Sequence, residues 1–287
     1  MYILYDSALR NTEKEVEGVG SIYFRIITLI AFCRYYNLNF IHYKYHIGHN
    51  YNNIPDDEWD TSWDNLFNVG ALCNKLEDIK IENYEIIKKI EIDNNDINNL
   101  IINKNNKKLF YYLHLFPLFY NNSNNFLKLV EDDLIKAYNE TNFNRPLIYN
   151  KNKKNIAIHI RVWNDFDTQN YNNFINSLSE DHRLNEYSYI YIINKLILKY
   201  PDYDIHIFSQ PNFIKKFPNI YQNKNLNFHL DMNALNSFHH LTSADILVLG
   251  YSCFSFIAGI YNKNIVYYTN YSYIPKLLDR WININEL

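Results

Sequence analysis

Two polar segments of this chain carry residue types that bind phosphate. His159 lies two residues before Arg161 in the run A-I-H-I-R, so both side chains fall on one face of an extended segment. Residues 250–255 read G-Y-S-C-F-S, where the glycine permits a tight turn and Ser252 and Ser255 offer hydroxyl groups. The planar guanidinium of arginine matches phosphate oxygens. The two segments together predict a diphosphate site.

Ser252 also has a simpler interpretation. Residues 253–262 follow it with the pattern of a helix, and serine is a preferred N-cap residue. The amino end of such a helix attracts anions, because its first N–H groups have no partner within the helix and the helix dipole is positive there. Ser252 is therefore either an N-cap alone or an N-cap beside a bound anion, and Arg161 at a neighbouring strand end favours the second reading.

The elements that position these residues form a regular alternation in the C-terminal half. Strands are predicted over residues 155–161, 204–209, 225–230, 245–250 and 264–268, with helices over 186–199, 233–243 and 253–262. Continuous β-branched runs between helices are typical of a buried parallel sheet, which indicates a Rossmann-type domain. Ligands of such sheets bind beyond the carboxyl ends of the strands. Ser209 lies at the end of one of these strands and Asp231 follows another, so both are candidate ligand-binding residues.

The N-terminal half opens as a second α/β domain, with a strand over residues 1–5, a helix over 21–36 and a strand over 39–43. Residues 44–66 are predicted to be loop, and residues 122–141 to be helix. The polar stretch around Arg145 and Pro146 marks the boundary, giving an N-terminal α/β domain over 1–150 and a C-terminal Rossmann-type domain over 151–287. The fold class is α/β.

Composition excludes several classes of protein. The 287 residues carry a net charge of −3, so a nucleic-acid partner is not expected. The three cysteines are widely separated, and neither a signal peptide nor an apolar run long enough to span a membrane is evident. We therefore expect a cytoplasmic protein. The abundance of Tyr, Ile and Asn is typical of an AT-rich genome, such as that of a large DNA virus or a protist.

Four segments, taken in order, resemble the motifs of one enzyme superfamily. Residues 157–165 (AIHIRVWND) are similar to the H-x-R-x-G-D motif of the α-1,2, α-1,6 and protein-O-fucosyltransferases, and residues 238–259 to its third motif. Residues 204–211 resemble the strand between these motifs, and residues 18–25 the N-terminal glycine loop and helix. The sequence departs from the family pattern at Trp163-Asn164, which replaces the motif glycine, and at Cys253, which replaces a serine.

The resemblance implies a GT-B fold, in which two Rossmann-type domains face a cleft, and an inverting fucosyltransferase. The donor would be GDP-fucose and the acceptor a glycan, with no metal and no cofactor. Arg161 would hold the β-phosphate, His159 would lie by the nucleotide or sugar, and Asp231 would bind the guanine. The turn at the start of the helix would hold the diphosphate through Ser252, Cys253, Phe254 and Ser255.

The resemblance also implies that the C-terminal domain binds the nucleotide sugar and that the N-terminal domain is the acceptor side. Gly18 and Gly20 would form the N-terminal glycine loop and, with Ser209, belong to the donor-binding residues. The acceptor base is left open among Glu17, Asp165 and Asp167. His49 and Asn50 are expected on the acceptor side.

Three alternatives stay open. Asp165-Phe166-Asp167 and Asp202-Tyr203-Asp204 each form a D-x-D, the metal-nucleotide motif of GT-A enzymes, although the second lies at a strand entrance. The donor could instead be GDP-mannose or a UDP-sugar. The chain could also be a non-catalytic glycan- or nucleotide-binding protein, because fold does not dictate function.

Overall fold

A computed structural model describes residues 1–5, 18–43, 45–47, 54–89, 94–106, 109–113, 126–141, 146–162, 185–269 and 278–287. The chain divides into two compact units, Met1–Phe143 (unit 1) and Asn144–Leu287 (unit 2). No described helix combines the length and the apolar content needed to cross a membrane.

Unit 1 is built on a parallel sheet of five strands in the order β3-β2-β1-β5-β4. The strands are β1 Tyr2–Tyr5, β2 Asn39–His42, β3 Asn74–Lys75, β4 Glu85–Lys89 and β5 Leu109–Leu113. The helices are α1 Val19–Tyr36, α2 Asp56–Phe67, α3 Asn94–Ile102 and α4 Glu131–Asn139, with 3-10 turns at Val69–Leu72, Leu76–Asp78 and Ile81–Asn83. Both α1 and α2 end at an asparagine in the left-handed conformation, Asn37 and Asn68, a backbone region that asparagine tolerates better than most residues.

The helix α2 corrects the loop predicted for residues 44–66. Its polar composition hides a helical pattern, in which Trp59, Trp63, Leu66 and Phe67 are all buried at helical spacing. Acidic residues fill its first turn, Asp56–Glu58, where the helix dipole favours negative charge. Of the helix predicted over 122–141, residues 122–125 lie outside the described residues. Phe126 and Leu127 are helical, a turn follows over residues 128–130, and the helix α4 then covers Glu131–Asn139.

Unit 2 confirms the predicted alternation of strands and helices. Its strands are β6 Asn155–His159, β7 Asp204–Phe208, β8 Leu226–His229, β9 Ile246–Val248, β10 Ile265–Tyr268 and β11 Ile282–Asn283. Its helices are α5 Glu186–Lys199, α6 Phe213–Lys216, α7 Pro218–Tyr221, α8 Ala234–Ser243 and α9 Cys253–Tyr261, followed by a 3-10 turn at Ile284–Glu286.

The six strands of unit 2 are parallel and lie in the order β11-β10-β9-β6-β7-β8. Counted from β6, this is the order 3-2-1-4-5-6 of doubly wound nucleotide-binding sheets. Alternate side chains of the sheet point to opposite faces. One face carries Ile156, Ile158 and Ile160 into a core shared with α5, while the other meets α8 and α9 through Phe208, Phe238 and Phe254.

Candidate functional site

His159, Arg161 and residues 250–255 lie where the strand order reverses. β6 pairs with β7 on one side and with β9 on the other. From β7 the chain continues outward to β8, and from β9 it continues outward to β10 on the opposite side of the sheet. The segment after β6 carries Arg161, and the segment after β9 carries Gly250 and leads into α9. Such a switch point opens a crevice at the carboxyl ends of the strands, which is where doubly wound sheets bind ligands.

Ser252 is the N-cap of α9. Its hydroxyl oxygen accepts a hydrogen bond from the Phe254 N–H at 3.2 Å, so the predicted N-cap role is confirmed. The capping oxygen keeps its own proton, which can still be donated to an anion. The capping role and the anion-binding role are therefore compatible, and the second stays a prediction.

Ser255 takes a supporting position. Its side chain is fully buried, and its hydroxyl lies 2.9 Å from the Gly250 carbonyl and 3.0 Å from the Ser252 carbonyl. We therefore assign its hydroxyl to fixing the turn, and direct contact with a ligand stays a prediction. Cys253 is a partly buried thiol at the first position of α9. The Phe254 ring packs on those of His159 and Phe238, with centroids 5.5 and 5.6 Å away.

Gly250 is required by a close approach of two backbone segments. A Cβ atom at this position would lie 2.2 Å from the His159 carbonyl oxygen and 3.0 Å from His159 Nδ1. Its φ is not positive, so the turn needs glycine for space and not for a left-handed conformation. The carboxyl ends of β6 and β9 are thereby held against each other at the switch point.

His159 is a buried, neutral imidazole. Burial and the nearby charge of Arg161 lower its pKa to about 3. Its Nδ1 is buried and has no hydrogen-bond partner within the described part of the chain. A buried polar atom left unpaired is costly, so it commonly marks a ligand or water position.

Arg161 follows β6 and is partly exposed. Its segment is held by the next strand, because the Ser209 hydroxyl donates to the Ile160 carbonyl at 2.6 Å and the Val162 N–H donates to Gln210 Oε1 at 3.0 Å. Ser209 thus positions the β6 end instead of facing open solvent. Gln210 performs the same task and was not predicted as a site residue, although it directly follows Ser209 after β7.

Asp231 is exposed and lies two residues beyond β8. β8 is separated from β6 by β7, which corresponds to about 10 Å along the edge of the sheet. A nucleotide whose diphosphate lay at the switch point could extend its base in this direction. Thr269, missed by the sequence reasoning, follows β10 at the same edge with a buried hydroxyl that has no partner among the described residues.

Several predicted residues lie outside the described ranges. These are Glu17, His49, Asn50, Asp165 and Asp167, so their proposed roles stay predictions. Gly18 is the N-cap residue of α1 and Gly20 lies in its first turn, both in unit 1. The second D-x-D lies at the amino edge of the unit 2 sheet, as expected, where Asp204 begins β7 and accepts a bond from Lys153 Nζ at 2.7 Å.

Metal-ligating side chains do not converge anywhere in the described ranges, since no three His, Cys, Asp or Glu residues there could hold one ion. A cavity of about 1020 Å³ opens near Tyr200, Tyr203 and Lys224. It lies at the amino edge of the sheet, away from the donor residues. We favour the carboxyl edge as the site, because the carboxyl ends of the strands and the amino end of α9 lie there.

The carboxyl edge of the unit 1 sheet carries a second polar cluster. His42, the last residue of β2, bonds to Asp64 of α2 through Nε2, at 3.0 Å to Oδ1. His46 bonds to Asp60 through Nδ1 at 3.2 Å. The sequence reasoning named neither histidine as a site residue, because their carboxylate partners lie in the helix α2 that it did not predict.

Comparison with solved structures identifies the fold. A crystal structure of the protein O-fucosyltransferase POFUT1 in complex with GDP-fucose is 10% identical, covers 92% of this chain and 95% of that chain, and superposes with a TM-score of 0.52. A POFUT1 structure in complex with GDP is 9% identical, with coverage of 93% and 98% and a TM-score of 0.52. This chain therefore has an α/β fold with parallel sheets of the GT-B type, as predicted, and at this identity the likeness shows the fold alone.

A weaker likeness is to the β-Kdo 2,4-transferase KpsC of Thermosulfurimonas dismutans, at 12% identity and a TM-score of 0.34. It covers 56% of this chain and only 48% of KpsC, so it carries no weight here. No protein-family model and no curated protein sequence matches the chain.

Proposed function

We propose that this chain is an inverting, metal-independent glycosyltransferase that moves fucose from GDP-fucose to a hydroxyl group of a glycan. The observation that carries the proposal is the junction of β6 and β9, where Gly250 lies against the His159 carbonyl. This junction sets Arg161 and the amino end of α9 on neighbouring segments at the switch point of the sheet. The likeness of the fold to POFUT1 and the motif resemblance support GDP-fucose as donor.

The reaction would be an in-line displacement. The acceptor oxygen forms a bond to the anomeric carbon, and the bond from that carbon to the diphosphate breaks, with its electron pair leaving on the phosphate oxygen. Charge on the leaving phosphate is stabilised by the Arg161 guanidinium and by the positive end of the α9 dipole. Such preorganised partners contribute about 3–4 kcal/mol each in a dry site.

His159 would contribute as a neutral group. Burial and the charge of Arg161 lower the pKa of His159 to about 3. At neutral pH the ring is therefore uncharged and carries a single N–H proton. It therefore adds no second positive charge beside Arg161, and its unpaired Nδ1 is available to a donor or sugar group. Asp231, exposed beyond β8, would accept hydrogen bonds from the guanine N1–H and N2–H₂ groups.

The first test is thermal unfolding of the chain with GDP, GDP-fucose, GMP or UDP, each with and without EDTA. Binding to the native state raises the melting temperature by mass action. We expect stabilisation by GDP and GDP-fucose that EDTA leaves unchanged. A UDP-selective or EDTA-sensitive shift would instead support another donor or a metal at the D-x-D.

Arg161→Ala tests the site itself. Loss of the guanidinium should weaken GDP binding and lower the turnover of GDP-fucose by about 10²–10³-fold. Lys153→Ala, at the opposite edge of the sheet, is the matched control and should leave both quantities unchanged. Asp231→Ala should reduce affinity for GDP more than for UDP. Binding of GDP-fucose without any turnover would favour a non-catalytic binding protein.

A further inference from the structure

The cavity at the amino edge of the unit 2 sheet lies at the opposite end of the strands from Arg161 and Ser252. Its volume is about 1020 Å³, which matches the largest pockets in which proteins bind small ligands. Three loops form most of its wall, and each leads into a strand: residues 152–154 precede β6, residues 200–203 precede β7 and residues 224–225 precede β8. The cavity therefore belongs to unit 2 alone.

Two tyrosines line the cavity on a rigid turn. The Tyr203 N–H donates to the Tyr200 carbonyl at 3.2 Å, which closes a β-turn, and Pro201 fixes the backbone at its second position. The two rings lie with their centroids 5.1 Å apart at an angle of 48°. The Tyr200 hydroxyl also shares a hydrogen bond of 2.8 Å with the hydroxyl of the buried Tyr267. Both rings are thus held in place while they stay partly exposed.

The rest of the lining is mostly polar. The residues Asn152 and Asn225 are exposed, and an amide side chain both donates and accepts hydrogen bonds. Apolar contributions come from Ile197, Pro201 and Ile205. An apolar ligand would displace water from the amides without replacing its hydrogen bonds. Aromatic faces beside amide groups suit a sugar ring, which has C–H groups to pack on the aromatic faces and hydroxyl groups to pair with the amides.

Lysines give the cavity a net positive charge, although the chain as a whole carries −3. Lys153 is paired with Asp204 at 2.7 Å. The ammonium group of Lys154 lies over the ring of Tyr203, 5.7 Å from its centroid. Neither Lys154 nor Lys224 takes part in any ion pair between the residues that the structure describes.

Exposed lysines by themselves do not define a site, because water and salt screen their charge. In this cavity the ammonium groups border a concave surface beside a fixed pair of aromatic rings. Low-dielectric walls concentrate the field of charges that line a cleft. An anionic ligand would also supply Lys154 and Lys224 with the partner that no described carboxylate provides.

We propose that this cavity binds an anionic saccharide, a glycan whose sugar rings carry carboxylate or sulfate groups. A sugar ring packs on the tyrosine pair, of which Tyr203 is the more accessible member because its hydroxyl does not bond to Tyr267. The acidic group of the saccharide pairs with Lys154 and Lys224, and its hydroxyl groups bond to the neighbouring amides.

This binding site goes beyond the proposed transfer reaction and does not depend on it. β7 comprises five residues, so its two ends lie about 17 Å apart. GDP at the carboxyl edge and a saccharide at the amino edge should therefore bind independently. Absence of GDP binding would count against the proposed function and not against this site.

The experiment is calorimetric titration of the full chain with three hexasaccharides. The probes are hexagalacturonate, which carries carboxylates, a heparin hexasaccharide, which carries sulfates, and the neutral maltohexaose. We expect binding of at least one acidic probe, and which of them binds identifies the acidic group. Binding should weaken as the salt concentration rises. Maltohexaose should not bind, and saturating GDP should leave the Kd of the acidic probe unchanged.

Two double variants that remove the same charge test the location. Lys154→Ala with Lys224→Ala should raise the Kd of the acidic probe about tenfold. Lys215→Ala with Lys216→Ala is the matched control, because both lysines are exposed on α6 and lie outside the cavity. This control should leave the Kd unchanged, since a non-specific attraction to positive charge would be weakened equally by both variants.

The aromatic contact is tested separately at Tyr203. Tyr203→Phe keeps the ring and should keep the affinity, whereas Tyr203→Ala should raise the Kd by a factor similar to that of the lysine pair. Thermal unfolding of each variant checks that the fold is retained.

Three results would overturn the proposal. The first is no binding of either acidic hexasaccharide to the wild-type chain. The second is an equal loss of affinity in the two double-lysine variants, or an unchanged Kd in Lys154→Ala with Lys224→Ala. The third is competition between GDP and the acidic probe, which would place the saccharide at the carboxyl edge. Equal affinity for maltohexaose would likewise refute the anionic class of ligand.

Discussion

Single residues at the unit 2 site are constrained by their neighbours more than by their own chemistry. Gly250 is needed because the β6 carbonyl of His159 occupies the space of a side chain. Ser252 caps α9, and Ser255 bonds to two carbonyls of the same turn. These residue types therefore fix the shape of the turn before α9, and Arg161 supplies the positive charge of the proposed anion site.

Gly250→Ala should damage both stability and nucleotide binding. The added Cβ would approach a backbone oxygen to 2.2 Å, so the β9–α9 turn must move away from β6. Overpacking of this kind costs about 1–3 kcal/mol, measured as the free energy of unfolding in urea. GDP-induced stabilisation should shrink as well, because the amino end of α9 shifts.

Gly259→Ala is the comparison for this prediction. Its Cβ would meet only side-chain atoms, those of Trp281 at 2.9 Å and Leu249 at 3.1 Å, in the interior of α9. Alanine also favours a helix over glycine. We expect a smaller loss of stability and full GDP binding, and equal effects of the two variants on GDP binding would refute the role given to Gly250.

At the scale of elements, three strands and one helix of unit 2 share a network of neutral imidazoles. The amide nitrogen Nδ2 of Asn155 donates to the Lys153 carbonyl, so its amide oxygen faces His206. That oxygen can only accept, and His206 Nε2–H therefore donates to Asn155 Oδ1 at 3.2 Å. His206 Nδ1 then accepts from His229 Nε2 at 3.0 Å. The cluster links β6, β7 and β8 just beneath the segments that carry Ser209 and Asp231.

Acid should destabilise this cluster. Burial is the main cause that lowers the pKa of His206 and of His229 to about 4, followed by neighbouring imidazoles, among them His240. The one carboxylate that favours a charged His206 ring, Asp204, is bonded to Lys153. In the unfolded chain a histidine titrates near its ordinary value of 6.5. Between about pH 6.5 and about pH 4 the unfolded state therefore binds more protons than the folded state, and the free energy of unfolding falls as the pH falls.

Urea unfolding between about pH 7 and about pH 5 checks this expectation. The double variant His206→Gln with His229→Gln should show a shallower loss of stability with falling pH than the wild type. Parallel pH profiles for the double variant and the wild type would contradict the network's role.

At the scale of the whole molecule, each unit has its own parallel sheet and its own helices. Most of the donor residues, from His159 to Ser255, belong to unit 2. Gly18 and Gly20, which were predicted on the donor side, lie in unit 1, which also contains the hydrogen-bonded pair His42–Asp64.

A fragment covering residues 144–287 should fold alone and bind GDP. Its sheet closes a core of side chains from β6, β7, β9 and α5 without any residue of unit 1. We expect a cooperative thermal transition that GDP raises. The same fragment with Arg161→Ala should fold without the GDP response. A folded fragment that ignores GDP would show that unit 1 contributes to nucleotide binding.

The sequence by itself determined the α/β class, five of the six described strands and the three longest described helices of unit 2, and Ser252 as the N-cap of α9. These features depend on local patterns, since hydrophobic periodicity and capping act over a few residues. The same reasoning missed α2, because acidic residues outnumber apolar ones at its start and conceal the buried stripe.

Only the tertiary structure decided the order of the strands, and with it the neighbours at each strand end. Gly250 meets His159, Ser209 meets Ile160 and His42 meets Asp64 across wide gaps in sequence. Such contacts arise from packing between distant elements, which leaves no local pattern to read. The residues of the proposed donor site were therefore named from the sequence, while their partners, and the contact between His42 and Asp64, required the fold.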